Sequence, residues 1–376
     1  DGVWRPVAEG APGATIGWLI NESRSTIEGV DLSLMPPCGV YEGAGRRKFA
    51  LTGKALIQRN RHIAALLERA VDADVIAFQE VSGVAAVREA LGSRADDYSI
   101  CSFDGQYKVQ RLAYAWKKVY GAPVEACKTW HEVALPALPA QQQVRPALTV
   151  ALKIRGQVMR FMTVHLKSSC VSPWERGGRL DGNTGPNDPC PTLQQQVGPL
   201  EQVFEQLPSH QGLKADHFVV LGDFNRNLWL EANEIEGAKA LRSDGSTDLT
   251  TPLPAGVRTQ NLYKEINDGL PAASSATLVS LSCPLAPELA ALCQRSKTEA
   301  LRREALVPLG AAGALGCRNP IGLDHIIVSD SLKARVLGAQ KVAIGSLGQT
   351  TAPEGGQEAS LAVSDHCPIL MSLDLK

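Results

Sequence analysis

Short apolar runs that stop abruptly at polar residues recur along the chain. Residues 14 to 20 (ATIGWLI) predict a first strand, followed by a Gly-rich, Pro-containing stretch to about residue 50. In ALIQRNRHIAALLERA, the apolar residues at 57, 63, 66, 67 and 70 predict one face of a helix. That helix leads into DADVIAFQEV, where Val75 to Phe78 form the continuous apolar run of a buried strand. Further strands are expected at 110–118 (QRLAYAWKK), 147–154 (ALTVALKI) and 158–165 (VMRFMTVH), the last two separated by RGQ, a hairpin-like break with Gly156. A helix is expected within 193–207, restarted or kinked at Gly198-Pro199. HFVVLG, LDHIIVS and CPILMSL supply three more strands. Short β runs with interposed helices and no clean linker predict a layered α/β protein, one domain over 1–376 with insertions near 170–190 and 268–318.

Composition narrows this picture. The chain has 376 residues, 44% hydrophobic and 20% charged, which describes a soluble globular protein. No apolar stretch approaches the roughly 20 residues that span a bilayer, so stable membrane insertion is not expected. Lys and Arg number 38 against 39 Asp and Glu, so attraction to a polyanion has to come from a local patch. The opening DGVWRP lacks the basic and apolar regions of a targeting peptide, which is expected to have been removed or never to have existed. Nine cysteines without a Cys-x-x-Cys pair predict disulfides and a secreted or periplasmic protein. Cys170 and Cys190 bracket a polar loop that a disulfide would staple, and Cys367, in an apolar run, is the candidate free buried thiol. Without heptads or a long amphipathic helix, a monomer is expected.

Chemistry concentrates where the apolar runs end. In HFVVLGDFN, Asp223 and Asn225 are two apart and can project together from a strand end, offering hard oxygens to a hydrated cation or a phosphate. Asp and Asn are also ordinary turn formers, so this stretch alone decides nothing. Four other stretches repeat the arrangement: Gln79-Glu80 after VIAF, His165 and Lys167 in FMTVHLKS, Asp324 at the start of DHIIVS, and Asp365-His366 before CPIL. Five polar clusters at the ends of apparent core strands suggest convergence on one sheet edge, where α/β proteins commonly hold their sites.

The set QE, H-x-K, GDFN, LDHI and SDHCP, in this order, resembles the endonuclease/exonuclease/phosphatase superfamily, and closest among it the bacterial exported members. The resemblance runs from about residue 14 to the C-terminus. It implies a DNase I-like, four-layered α/β/β/α sandwich and metal-assisted hydrolysis of phosphoester bonds. It assigns Glu80 as principal ligand of Mg2+ or Mn2+, with Ca2+ an alternative, and places Asp365 close by. Asn21, at the end of IGWLIN, is the candidate for the first-strand asparagine that positions the metal ligand. Asp223 and Asn225 would orient water and hold the phosphate. His366, held by Asp324, would be base or phosphate clamp, and His165 would bind the scissile phosphate or assist the leaving group.

On QRLAYAW, Tyr114 matches the family's phosphate- or sugar-contacting position better than Arg111 does. His325 is expected to be structural. Arg176 and Arg179, with Lys108, Lys117, Lys118 and Lys167, would form a basic patch for a nucleic-acid backbone, and Trp174 would stack on a base. The superfamily hydrolyses DNA, RNA, phosphoinositides, sphingomyelin and small nucleotides; taken with the expected extracellular setting, the first choice is a secreted nuclease acting on DNA, with RNA an open alternative substrate. The alternatives are a phosphodiesterase for a lipid or small nucleotide, of the sphingomyelinase kind, and a binding protein that keeps the scaffold without catalysis.

Overall fold

Thr52 ends one strand and caps the helix that follows, its Oγ1 accepting from the Ala55 N–H at 3.3 Å. The coordinates are a computed structural model and describe residues 5–6, 16–21, 26–31, 40–42, 48–103, 109–168, 170, 189–233, 261–281, 323–344 and 363–375. The chain packs as two compact units: Asp1–Trp116, Gly313–Arg318 and Ala343–Cys367 form unit 1, and Lys117–Ala312, Asn319–Val342 and Pro368–Lys376 form unit 2.

In unit 1, β1 (Arg5–Pro6), β2 (Ile16–Asn21), β3 (Thr26–Asp31), β4 (Val40–Glu42) and β5 (Lys48–Thr52) form an antiparallel sheet in the order β1-β3-β2-β5-β4. Helix α1 (Gly53–Leu66) buries Ala55, which packs with Leu51 of β5, and Leu66. Ile57, expected on the buried face, is 54% exposed. Nine residues at about 100° each put it half a circle from Leu66, on the opposite side of the helix. After α1, β6 (Val75–Val81), α2 (Val84–Leu91), β7 (Tyr98–Ser102) and β8 (Arg111–Lys117) follow, with strand order β6-β8-β7.

Unit 2 is built on a mixed six-stranded sheet. Its strands are β9 (Glu125–Trp130), β10 (Ala147–Ile154), β11 (Gln157–His165), β14 (His217–Asp223), β15 (Ala276–Leu278) and β16 (Asp324–Ser329), in the order β15-β16-β14-β11-β10-β9. Two short strands, β12 (Ser209–His210) and β13 (Leu213–Lys214), pair separately, as do β17 (Val336–Lys341) and β18 (Ile369–Leu373). Strands β10 and β11 are a hairpin closed by Arg155 and Gly156, both at positive φ, as a two-residue turn matched to strand twist requires.

Helix α3 (Pro189–Phe204) runs through Pro199 as one element instead of restarting there. Its Leu193, Val197, Leu200, Val203 and Phe204 pack on Met162 and Val164 of β11 and Phe218 and Val220 of β14. That packing holds the helix although the missing Pro199 N–H removes one backbone bond. Buried Arg160 fixes the far end, bonding Glu125 Oε2 at 2.8 Å and the carbonyls of Leu207 and Leu213. Helices α4 (Leu228–Asn233), α5 (Leu262–Ile266) and α6 (Asp330–Lys333) are the remaining α-helices among the described residues.

Cys170 and Cys190 are disulfide-bonded and buried, as expected. Cys367 is not a free thiol: it is buried and disulfide-bonded, and Cys101 and Cys127, both half-buried, are disulfide-bonded as well. It precedes β18 instead of sitting inside it, so strand packing does not explain it. Segment 171–188, with Trp174, Arg176 and Arg179, lies outside the described residues, as do Lys108 and residues 282–318 of the second expected insertion. The Cys170–Cys190 bond closes a sequence separation of 20. Replacing both cysteines by alanine is expected to cost about 3 kcal/mol, measured by urea denaturation against the oxidised parent.

Candidate active site

Strand register in unit 2 lines up three of the sequence candidates. His165 of β11 pairs with Asp223 of β14, and Asp223 pairs with Asp324 of β16. Neighbouring strands lie about 4.8 Å apart, so side chains in such a row meet. His165 Nε2 is 3.6 Å from Asp223 Oδ2, and both residues are buried. The row depends on Gly222, at φ 142: a Cβ there would stand 2.2 Å from the Val164 carbonyl oxygen of β11. Only glycine lets the two strands close at that point.

Asn225 joins the row by a route that strand alternation does not foresee. Strand β14 ends at Asp223, and Asn225 turns back in the left-handed region at φ 51. Its N–H donates to Asp223 Oδ1 at 2.7 Å, and its Nδ2 donates to Asp223 Oδ2 and to the Leu166 carbonyl, both at 3.0 Å. The two side chains meet through this Asx turn and not by sharing a strand face. His325 points away, packing edge-on against Phe224, with Nε2 within reach of the Arg226 carbonyl (2.9 Å) and the Leu228 N–H (3.2 Å).

The segment after β11 is held from several sides. Arg145 Nε donates to the His165 carbonyl at 3.0 Å and its Nη2 to the Leu166 carbonyl at 2.8 Å. Buried Gln196 of α3 accepts from the Lys167 N–H at 2.9 Å and donates to the Val133 carbonyl at 3.0 Å. Lys167, two beyond His165, is half-buried, and burial with the nearby Arg145 charge pushes its ammonium pKa down.

Sequence reasoning missed Arg145, whose position before Pro146 carries no pattern, and Lys341. The Lys341 Nζ lies 3.6 Å from Asp324 Oδ2, with the side chain 6% exposed. Burial lowers its pKa, while the charges of Asp324 and Asp223 pull it back up. A signal was present: in β17 Ala339 is buried and Gln340 exposed, so Lys341 falls on the inward phase.

Unit 1 holds the remaining candidates. Strand β6 bulges: Phe78 pairs with Ala113 and Val81 with Arg111, so three steps on β6 match two on β8. Gln79 and Glu80 occupy the bulge inside the strand, and Glu80 stands at φ 56 with its side chain exposed. Bulges of this kind re-aim a side chain. Gln110 Nε2 donates to Glu80 Oε1 at 3.4 Å. Arg111, at the strand end, is half-buried, whereas Tyr114 is fully buried opposite Ala77. Burial raises the Tyr114 phenol pKa well above its ordinary value. Asn21 ends β2 and is buried. Asp365 is exposed, and the His366 N–H donates to Ser364 Oγ at 3.1 Å.

The model of the Endonuclease/Exonuclease/phosphatase family matches residues 50–366, a span that takes in Glu80, His165, Asp223, Asp324 and His366. The chain belongs to this family. Its fold is the DNase I-like α/β fold, and the family's enzymes hydrolyse phosphoester bonds, typically with divalent metals. No curated protein matches the chain. Similar solved structures include TDP2 from D. rerio with a single-strand DNA product, 16% identical over 84% of this chain and 90% of that one, TM-score 0.43. Another is the 3' phosphatase NExo from Neisseria with a product DNA hairpin, 17% identical over 84% and 94%, TM-score 0.43. A third is an AP endonuclease from Archaeoglobus fulgidus, 14% identical over 84% and 95%, TM-score 0.40.

Two outcomes are expected from this geometry. Gly222→Ala destabilises by more than about 1 kcal/mol, seen as a lowered melting temperature. Arg145→Gln removes a neighbouring positive charge, so the Lys167 ammonium pKa rises, measured by NMR titration of the lysine side chain.

Proposed function

We propose that this member of the family is a secreted or periplasmic, metal-dependent endonuclease that hydrolyses DNA, with RNA as a second substrate. The observation that carries the reading is the row of His165, Asp223 and Asp324 with Asn225 locked to it. Asp223 accepts two donors from Asn225, which fixes its carboxylate and leaves lone pairs that can orient an attacking water. His165, with Nε2 3.6 Å from that carboxylate, is placed to donate a ring N–H to a phosphoryl or leaving oxygen. The family resemblance gives His366 the role of base or phosphate clamp.

Glu80, Asp365 and Asn21 offer the hard oxygen donors that Mg2+ or Mn2+ takes, and Ca2+ accepts the same set. Their fit is supported by Glu80, which the bulge exposes beside the neutral amide of Gln110. A bound ion would supply positive charge against the charge developing on phosphorus oxygens. Arg145, Lys167 and Lys341, beside the row in unit 2, favour an anionic substrate. Disulfides at Cys170–Cys190 and at Cys101, Cys127 and Cys367 support an oxidising compartment.

Supercoiled plasmid is expected to be nicked and linearised with Mg2+ or Mn2+ and left intact with EDTA. Glu80→Ala and His165→Ala are each expected to slow cutting by at least about 100-fold, with unchanged circular dichroism. Plasmid intact under every metal would sink the nuclease reading, and a panel of phospholipids and small phosphodiesters would then identify the substrate class.

A further inference from the structure

Lys341 has an unusual position for a lysine. It occupies the inward phase of β17, level with Ile369 of β18, at 6% exposure. Removing an ammonium from water is costly unless the site needs its charge. The nearest carboxylate is that of Asp324, 3.6 Å away, and Asp324 stands directly opposite Asp223 on paired strands. Like charges in that relation repel, and carboxylates shielded from water answer by one of them taking a proton. A protonated Asp223 would lose an acceptor that Asn225 uses, and a protonated Asp324 could no longer act as a carboxylate toward a histidine.

We propose that Lys341 is a positioning residue of the hydrolytic site, a built-in cation whose ammonium keeps Asp223 and Asp324 ionised side by side. The inference rests on the hydrolase reading above and adds a residue to it. The lysine acts through the carboxylates and touches no substrate. The strand register alone creates this pair. The downward push of burial on the Lys341 pKa, opposed by both aspartates, agrees with a cation retained for its partners.

The test compares the parent with Lys341→Met and Lys341→Arg in two measurements. The first needs no substrate: infrared difference spectra at neutral pH of protein labelled with 13C at the aspartate carboxyls. A protonated-carboxyl band is expected in Lys341→Met and in neither the parent nor Lys341→Arg. The second is plasmid cleavage, where Lys341→Met is expected to lower kcat by about 10- to 100-fold with KM little changed. Lys341→Arg should restore most of the rate, and added ethylammonium part of the Lys341→Met rate. The inference is overturned if Lys341→Met shows no such band and cuts like the parent. It is equally overturned if Lys341→Arg loses as much as Lys341→Met and amines have no effect, the pattern of a purely structural residue. A parent that cuts no phosphodiester would defeat the proposed function, and the infrared comparison would then decide the role of Lys341 by itself.

Discussion

The close approach of β11 and β14 at Gly222 sets the position of the polar groups in unit 2. Parallel pairing from Met159 with His217 to His165 with Asp223 runs without a shift, and β16 continues the register to Asp324. A slip of one residue would turn every side chain of a strand to the other face. The hydrophobic packing of α3 on β11 and β14 therefore decides more than stability: it decides that an imidazole and two carboxylates share one edge. The backbone bond from Leu166 N–H to the Asp223 carbonyl, 3.0 Å, extends the pairing one step past the strand.

Around that edge the chain spends polar contacts on backbone rather than on side-chain pairs. The Leu166 carbonyl accepts from both Arg145 and Asn225, and the Lys167 N–H is taken by Gln196. Each bond fixes a main-chain atom next to a functional residue, so the side chains inherit their places from a rigid frame. Unit 1 uses another device. There an extra residue in β6 rotates Glu80 outward, leaving the rest of the strand paired with β8.

The elements that obey simple periodicity were legible in the sequence. Strands β10 and β11 and their Gly156 turn follow from two apolar runs and a glycine between them, and the Cys170–Cys190 bond follows from the composition of the loop it brackets. What the sequence hid were the places where two periodicities or two roles compete. Ile57 looked inward because it is apolar, although its angle from Leu66 sends it to solvent. Asp223 and Asn225 satisfied the strand rule by spacing, yet meet through a left-handed turn. Glu80 looked like a strand-end residue because a bulge leaves no mark in a single sequence. Lys341 was passed over because β17 itself was not foreseen, and only the burial of Ala339 two residues earlier reveals its phase.

The disulfide between Cys170 and Cys190 has a consequence for the frame of the site. Its two sulfurs sit in the same apolar cluster as Leu166 and Leu193, and Gln196 returns from α3 to hold Lys167. Both ends of the intervening stretch are thereby anchored to the core, independently of what lies between them. The bond thus separates the placement of His165 from the sequence of the stretch it closes, so the frame around the candidate site is set by the core and not by that stretch.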